Sequence, residues 1–379
     1  MGRVRFIHLA DVHLGAPYGF LEPEIGIRRR EDQRRALGSV VAWASAENPR
    51  VNLMLIAGDL FDRSEPSRRE VQFVRDVLGR AAAAGIEVFI VPGNHDEYRP
   101  RCFWDALETT RVHVFRQYGF SAVNLEEFDL TVWGGVMNPD RQGERLVREF
   151  DGGQCAGRSI LVLHGTYLNY GPDDEPRCLP FDDDDVRRLN VNYLAFGHYH
   201  GCLEVLSERS RKGFYPGSLV ARTFGSTELG ERHIIDGQIG EDGEVSVRRL
   251  PLRSLPNFPR AVHSVEEFDA THATPDGFRR WLQERASAEV LMRAVVRGTC
   301  SAEFAADLED VEEEFAEQYY SLEVRPEFEL VEEHEGDNPH FRQFREEVLR
   351  RMKSASEEEQ AVLRRCLQVG AVAFYKGRE

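Results

Sequence analysis

Asn52-Leu-Met-Leu-Ile-Ala-Gly-Asp-Leu-Phe-Asp62 sets a short apolar run directly before a glycine and two carboxylates. A run this short, bounded by Gly58, reads as a strand buried on both faces, with the acids just past its end. The pattern recurs along the chain. Phe6-Ile-His-Leu-Ala runs into Asp11-Val-His13, and Phe89-Ile-Val-Pro runs into Gly93-Asn-His-Asp96. Ile160-Leu-Val-Leu ends at His164-Gly165, and Tyr193-Leu-Ala-Phe ends at Gly197-His-Tyr-His200. In open α/β sheets the crevice beyond the strand C-termini is where ligands bind, so all five segments are expected to converge on one pocket. The glycines at 58, 93, 165 and 197 let the backbone turn beside a bound ion or phosphate.

Between these strands the spacing predicts helices over Gln33–Ala46 and Ser67–Ala84, an alternation that argues for α/β layering. Further strands are expected at Leu130–Trp133, Ser159–Leu163, Tyr193–Phe196, His233–Asp236 and Val245–Leu250. That strand content predicts two sheets packed face to face with helices outside. Pro251–Pro259, with three prolines in nine residues, reads as a linker. Beyond it a small α+β unit is expected, with a helix near Gly277–Arg285, a strand at Val290–Gly298 and an acidic helix at Ala302–Glu317. Two amphipathic helices are expected near Phe341–Met352 and Glu357–Val369, the first with Phe341, Phe344, Val348 and Met352 on one face. The expected domains are residues 1–253, 254–335 and 336–379.

Composition narrows the class. The 379 residues are 41% hydrophobic and 30% charged, and no apolar run approaches the roughly 20 residues of a membrane span. Six cysteines lie far apart with no CxxC pair, which suggests neither a disulfide framework nor a zinc knuckle. A cytoplasmic protein is expected, with no membrane partner. The net charge is −17, and residues 301–379 hold 21 acidic against 10 basic side chains. No global basic field attracts nucleic acid. Two local arginine clusters, around Arg28–Arg35 and Arg63–Arg75, read equally as helix surfaces paired with Glu31, Asp32, Glu65 and Glu70.

The chemistry that needs histidines, carboxylates and an amide together is two-metal phosphoester hydrolysis. Such a donor set suits Mn²⁺, Fe or Zn better than Ca²⁺, which prefers oxygen ligands alone. Two ions about 3.5–4 Å apart clamp the attacking and leaving oxygens. A bridging ligand must reach both ions, which a carboxylate does and a neutral imidazole does not; Asp59 is the best candidate. Asn94 supplies a neutral oxygen where an anionic phosphate approaches. His95, beside a ligand and not needed as one, is placed to contact the scissile phosphate and protonate the leaving group.

Together the five segments resemble the calcineurin-like metallophosphoesterase superfamily. Phe-Ile-His-Leu-Ala-Asp-Val-His-Leu-Gly, Ala-Gly-Asp-Leu-Phe-Asp, Val-Pro-Gly-Asn-His-Asp and Tyr215-Pro-Gly-Ser218 resemble its DNA-repair branch more closely. That branch is the SbcD-type nuclease subunit, with its YhaO-like relatives. The resemblance implies a four-layer α/β/β/α sandwich with a small α+β cap domain and C-terminal helices. It implies Asp11, His13, Asp59 and His200 on one metal, and Asp59, Asn94, His164 and His198 on the other. His95 would be catalytic and the metal would usually be Mn²⁺. Implied partners are double-stranded DNA ends or hairpins, an SbcC-like coiled-coil ATPase and a second copy in a homodimer. The tail stripes suit self-packing or docking on a partner, and the resemblance favours docking on the ATPase.

Two other functions compete. A phosphatase or phosphodiesterase acting on small molecules or phosphoproteins fits Gly58–Arg63, but Ser64 and Asp96 depart from the phosphoprotein-phosphatase pattern. A non-catalytic scaffold subunit fits the fold but not the full ligand set. Among neighbouring residues, Asp62 suits either an acceptor that steers a ligating histidine or a cap for the helix starting near Pro66. Asp96 is expected to hold His95 or a loop amide, and His8 to be a satisfied core histidine. Asp182–Asp185 reads as a helix N-terminus.

Overall fold

Val4–Leu9 (β1), Leu53–Ala57 (β2) and Glu87–Val91 (β3) pair in parallel and are joined through helices Pro23–Ala46 (α1) and Arg68–Ala83 (α2). In the computed structural model, residues 2–330 are described apart from 49, 142, 152–156 and 171–177, then 339–353 and isolated positions from 355 to 373. Side chains alternate across each strand, so successive residues enter different cores. Ile7, Leu9, Met54, Ile56, Val88 and Ile90 pack under α1 and α2 with Leu37, Val40, Val74 and Leu78. Phe6, Leu53, Leu55, Phe89 and Val91 face the other way, toward Val132, Ile160, Val162 and Tyr193 of a second sheet. Burial on both faces explains why these strands read as continuous apolar runs.

The remaining strands of this part are Val112–Val114 (β4), Gly119–Leu125 (β5), Leu130–Val136 (β6) and Arg158–His164 (β7). After the short helix Asp183–Arg188 (α3) come Tyr193–Gly197 (β8), Leu203–Ser207 (β9), Lys212–Tyr215 (β10), His233–Ile239 (β11) and Val245–Pro251 (β12). One sheet has the order β12-β11-β1-β2-β3-β4 and the other β5-β6-β7-β8-β10-β9. Leu161, Leu163, Leu194 and Phe196 face a third core with Phe181 and Val186, which completes four layers. The four-layer α/β/β/α sandwich expected from the sequence is therefore the fold.

Helix α1 begins ten residues before its expected start, with Pro23 at its first turn. Its early face is polar yet buried: Arg29 Nη1 stands 3.2 Å from Asp32, and Gln33 Nε2 donates to His13 O at 2.7 Å. That half of the helix braces a loop of the site. Ser67 caps α2 in a reciprocal box with Glu70, so Asp62 is not a helix cap. Asp182 and Asp185 form the same box on α3, as the acidic run suggested. In the arginine clusters, Arg34–Glu31 (3.2 Å), Arg35–Asp32 (3.6 Å) and Arg63–Glu70 (3.8 Å) are ion pairs.

His8 is fully buried, with Nε2 3.1 Å from Phe196 O and Nδ1 3.0 Å from Tyr193 Oη. Burial pushes this imidazole down to about 3. A folded state that refuses a proton the unfolded chain accepts loses stability as pH falls from 6.5 toward 3. Urea unfolding in EDTA at stepped pH should show the stability gap between wild type and His8→Gln narrowing by about 1.4 kcal/mol per unit below pH 6.5. A constant gap would contradict the assignment.

The chain separates into two compact units, Met1–Arg260 and Ala261–Glu379. The second runs Val262–Asp269 (β13), Pro275–Gln283 (α4), Val290–Cys300 (β14), Ala302–Phe315 (α5), Ser321–Leu330 (β15) and Pro339–Met352 (α6). Its helices and strands alternate, so the three strands are all parallel, in the order β13-β14-β15. Phe278, Met292, Val296, Phe304 and Val311 fill its core. The helix expected near Glu357–Val369 lies partly outside the described residues; its described positions from Glu359 to Val369 are helical. Val348 is buried and a Cβ at Gly370 would stand 2.2 Å from Phe344. The chain's own tail thus meets part of that face, as the self-packing alternative expects. Among the described residues no helix is long and apolar enough to cross a membrane.

Candidate metal centre

The strand ends meet as expected. After β1 and β2 the two segments stay in register, with Asp11 N donating to Gly58 O (3.1 Å), His13 N to Asp59 O (2.9 Å) and Leu14 N to Leu60 O (3.0 Å). Holding both loops this close puts Asp11, His13 and Asp59 at φ of 52°, 49° and 49°, and His198 at 122°. Four candidate site residues thus occupy backbone conformations that side chains disfavour, a strain typical of functional sites.

The donor atoms form two groups. In one, His13 Nε2 and His200 Nε2 are 3.1 Å apart, with Asp11 close by. In the other, Asn94 Oδ1 stands 2.9 Å from His164 Nε2 and 3.2 Å from His198 Nδ1. Asp59 lies between them, its Oδ2 3.5 Å from both His13 Nε2 and His164 Nε2. Neighbouring ligands around a first-row ion bound at roughly 2.0–2.2 Å are themselves roughly 3.0–3.5 Å apart. The spacings match. The outer ring nitrogens of His13, His164 and His200 face Asp62 Oδ1 (3.1 Å), Ala57 O (2.9 Å) and Glu228 Oε1 (3.0 Å). The neutral rings of His164 and His200, so held, turn a bare lone pair toward the cluster, while Asp62 Oδ1 stands beside His13 without a hydrogen-bond partner among the described residues.

Electrostatics agree. Burial, then the charge of Asp59, pushes Asp11 well up, and burial raises Asp62. Burial pushes His13 well down, lowers His164 and takes His198 to about 3. Neutral imidazoles are what a metal requires, and crowded carboxylates are what a cation relieves. The donor set fits two divalent ions.

His95 is half-exposed at the edge of the cluster. Its backbone N donates to Asp59 Oδ1 (2.9 Å), and its Nδ1 lies 3.2 Å from Asp62 O. Its ring also comes close enough to group with His13 and Asp59 as a potential ligand. Asp96 does not touch that ring; its two oxygens accept from Gly93 N (2.7 Å) and Phe61 N (2.9 Å), fixing the loop that carries Asn94 and His95. Tyr199 points to the opposite face, into the outer core of the second sheet.

Two site residues escaped the sequence reading. Glu228 accepts from His200 Nδ1 and Thr223 Oγ1, each at 3.0 Å, and from Arg222 N. The guanidinium of Arg222 lies 3.1 Å from the His13 ring nitrogens and 3.2 Å from Asp62 Oδ1. Both sit in a loop after β10, away from any strand end, and only their nearness to Tyr215–Ser218 pointed there.

Glycines make the cluster this tight. A Cβ at Gly93 would stand 2.1 Å from Asp59 Oδ1 and 2.5 Å from Asp59 N, and one at Gly197 would stand 1.8 Å from Ala57 O. Gly93→Ala should therefore displace Asp59, lower the melting temperature at a cost of about 1–3 kcal/mol and weaken Mn²⁺ binding about tenfold or more. Calorimetric titration with Mn²⁺ and a thermal melt check both. An unchanged isotherm would show that Asp59 does not need this approach.

The chain belongs to the calcineurin-like phosphoesterase family, whose model matches residues 4–202. That family is one of metallophosphoesterase hydrolases, and the donor groups described above are this chain's candidate metal ligands. Among its relatives is an uncharacterized metallophosphoesterase, YhaO of Bacillus subtilis, 28% identical over 310 residues, which are 78% of this chain and 72% of that one. The DNA double-strand break repair protein Mre11 of Aeropyrum pernix is 40% identical over 215 residues, 52% of this chain and 49% of its own. Mre11 of Methanosarcina acetivorans is 25% identical over 269 residues, 66% of this chain and 39% of its own. The chain thus spans about half or less of these Mre11 proteins. A solved dimetal phosphatase from Danio rerio overlaps 66% of this chain and 99% of its own at a TM-score of 0.42 and 12% identity.

Proposed function

We propose that this protein is a Mn²⁺-dependent phosphodiesterase acting on DNA, the nuclease subunit of an SbcCD-type repair assembly with a coiled-coil ATPase partner. The observation that carries the hydrolytic part is the convergence of seven donors from five chain segments, with Asp59 between the other six. The DNA part is supported by the repair proteins among its relatives. Asp11, His13, Asp59 and His200 would hold one ion, and Asp59, Asn94, His164 and His198 the other. When bound, the ions supply Lewis acidity and an activated water.

The chain's own groups do the rest. Asp62 and Glu228 orient His13 and His200 through their outer nitrogens, with Arg222 braced against both acids' loops. Asp96 sets the Gly93–Asp96 loop. His95, with Nδ1 held toward Asp62 O, presents Nε2 to the leaving oxygen and hands it a proton.

Linear duplex DNA and p-nitrophenyl phosphate, each with Mn²⁺ and then with EDTA, separate this reading from a phosphatase. Expected is DNA cleavage that EDTA abolishes, with little monoester turnover. Fast monoester turnover beside intact DNA would overturn it.

A further inference from the structure

The exposed apolar side chains of the first unit are all at one end of it. Among its described residues, Phe20 (43%), Ile27 (61%), Tyr118 (38%) and Tyr170 (36%) are the large apolar groups left in solvent. Phe20 and Ile27 lie on the path from β1 into the first turns of α1, and Tyr170 follows β7. Tyr118 precedes Gly119, which pairs with Val136 at the far end of β6, and β6 runs parallel to β7. All four therefore stand at the strand C-termini, the end that carries the metal centre.

Each of the three aromatic rings is backed by another that lies close in sequence to a site residue, Tyr199 with its ring turned to the outer side of the second sheet. Phe20 meets Phe224 edge-on at 5.8 Å, two residues beyond Arg222. Tyr118 meets Tyr98 at 5.8 Å and donates to its carbonyl at 3.2 Å, three residues beyond His95. Tyr170 meets Tyr199 at 5.1 Å, and Tyr199 Oη donates to Tyr170 O at 2.8 Å, between His198 and His200. Backed rings present fixed flat faces that cost little entropy to use.

Resting on the DNA reading above, we infer that Phe20, Tyr118 and Tyr170 are stacking positions for unpaired nucleobases of a strand led into the metal centre. Every base has a π-face, so such a rim accepts sequence broadly. Charge favours this source of affinity over a phosphate-gripping surface. The chain carries −17 overall and has no basic field, so counterion release has little to release. Binding to unpaired DNA should therefore depend on bases and only weakly on salt.

The test uses the full chain with His95→Asn and saturating Mn²⁺, and follows the fluorescence anisotropy of a labelled short oligothymidylate and of its abasic twin with the same phosphates. The base-bearing strand should bind about a hundredfold more tightly, and Phe20→Leu, Tyr118→Leu or Tyr170→Leu should each remove about fivefold of that difference while the abasic strand is held as before. Equal affinities for the two strands, losses that fall equally on both, or a steep salt slope would overturn the inference; a rim that ignores bases is a protein-docking surface instead. Thermal melts of each Leu variant exclude misfolding. The DNA reading fails in a different assay, when wild type turns over p-nitrophenyl esters and leaves every DNA intact.

Discussion

Asp59→Ala should leave a folded protein whose metal-dependent hydrolysis is down by about 10⁴-fold or more, the scale of several kcal/mol of lost transition-state stabilisation. Asp59 Oδ2 is the atom that stands equally near both histidine groups, 3.5 Å from His13 Nε2 and from His164 Nε2. Without it the two ions would lose the carboxylate placed to hold both. Bound Mn²⁺, measured on the purified variant, should fall below two ions per chain. Asp59→Asn keeps the volume and the acceptor for His95 N but halves the bridge, and should sit between wild type and Ala. Full Mn²⁺ content in Asp59→Ala would remove the bridging role.

The second large effect separates acid from ligand. His95→Asn should lose about 10²–10⁴-fold in hydrolysis, as removal of a general acid does, and retain both ions. The geometry makes this a real choice, because the His95 ring groups with His13 and Asp59 as well as lying at the edge of the cluster. The His95 side chain is 36% exposed, more than those of His13, His164 and His200, which suits a residue that meets substrate. Metal content of the purified variant decides it. A drop to one ion per chain would make His95 a ligand and leave the proton donor unassigned.

Most of the site was legible because its residues follow strands, and strands buried on both faces announce themselves as short apolar runs, most of them with a glycine at the end. Asp11, His13, Asp59, Asn94, His95, His164, His198 and His200 all belong to that pattern, and the structure brings them together. Arg222 and Glu228 do not. They reach the centre from a loop and a short 3₁₀ turn, where neither periodicity nor spacing marks a residue as inward. The strands that the sequence concealed are those at sheet edges or beside them. Val112–Val114 has three residues, Gly119–Leu125 and Leu203–Ser207 are only half-buried, and Lys212–Tyr215 opens on a charge. The early half of α1 was hidden for the opposite reason: its buried face is made of Arg29, Asp32 and Gln33, which an apolar periodicity passes over. Asp62 was ambiguous in sequence between capping a helix and steering a histidine. Ser67 takes the cap, and Asp62 turns to His13.

The claim on which the rest depends is a pair of ions bridged by Asp59. Crystals grown with Mn²⁺ and measured near the manganese absorption edge test it most directly. The account predicts two anomalous peaks, one beside Asp11, His13 and His200 and the other beside Asn94, His164 and His198, with the Asp59 carboxylate between them. A single peak, or two peaks that Asp59 does not join, would contradict it.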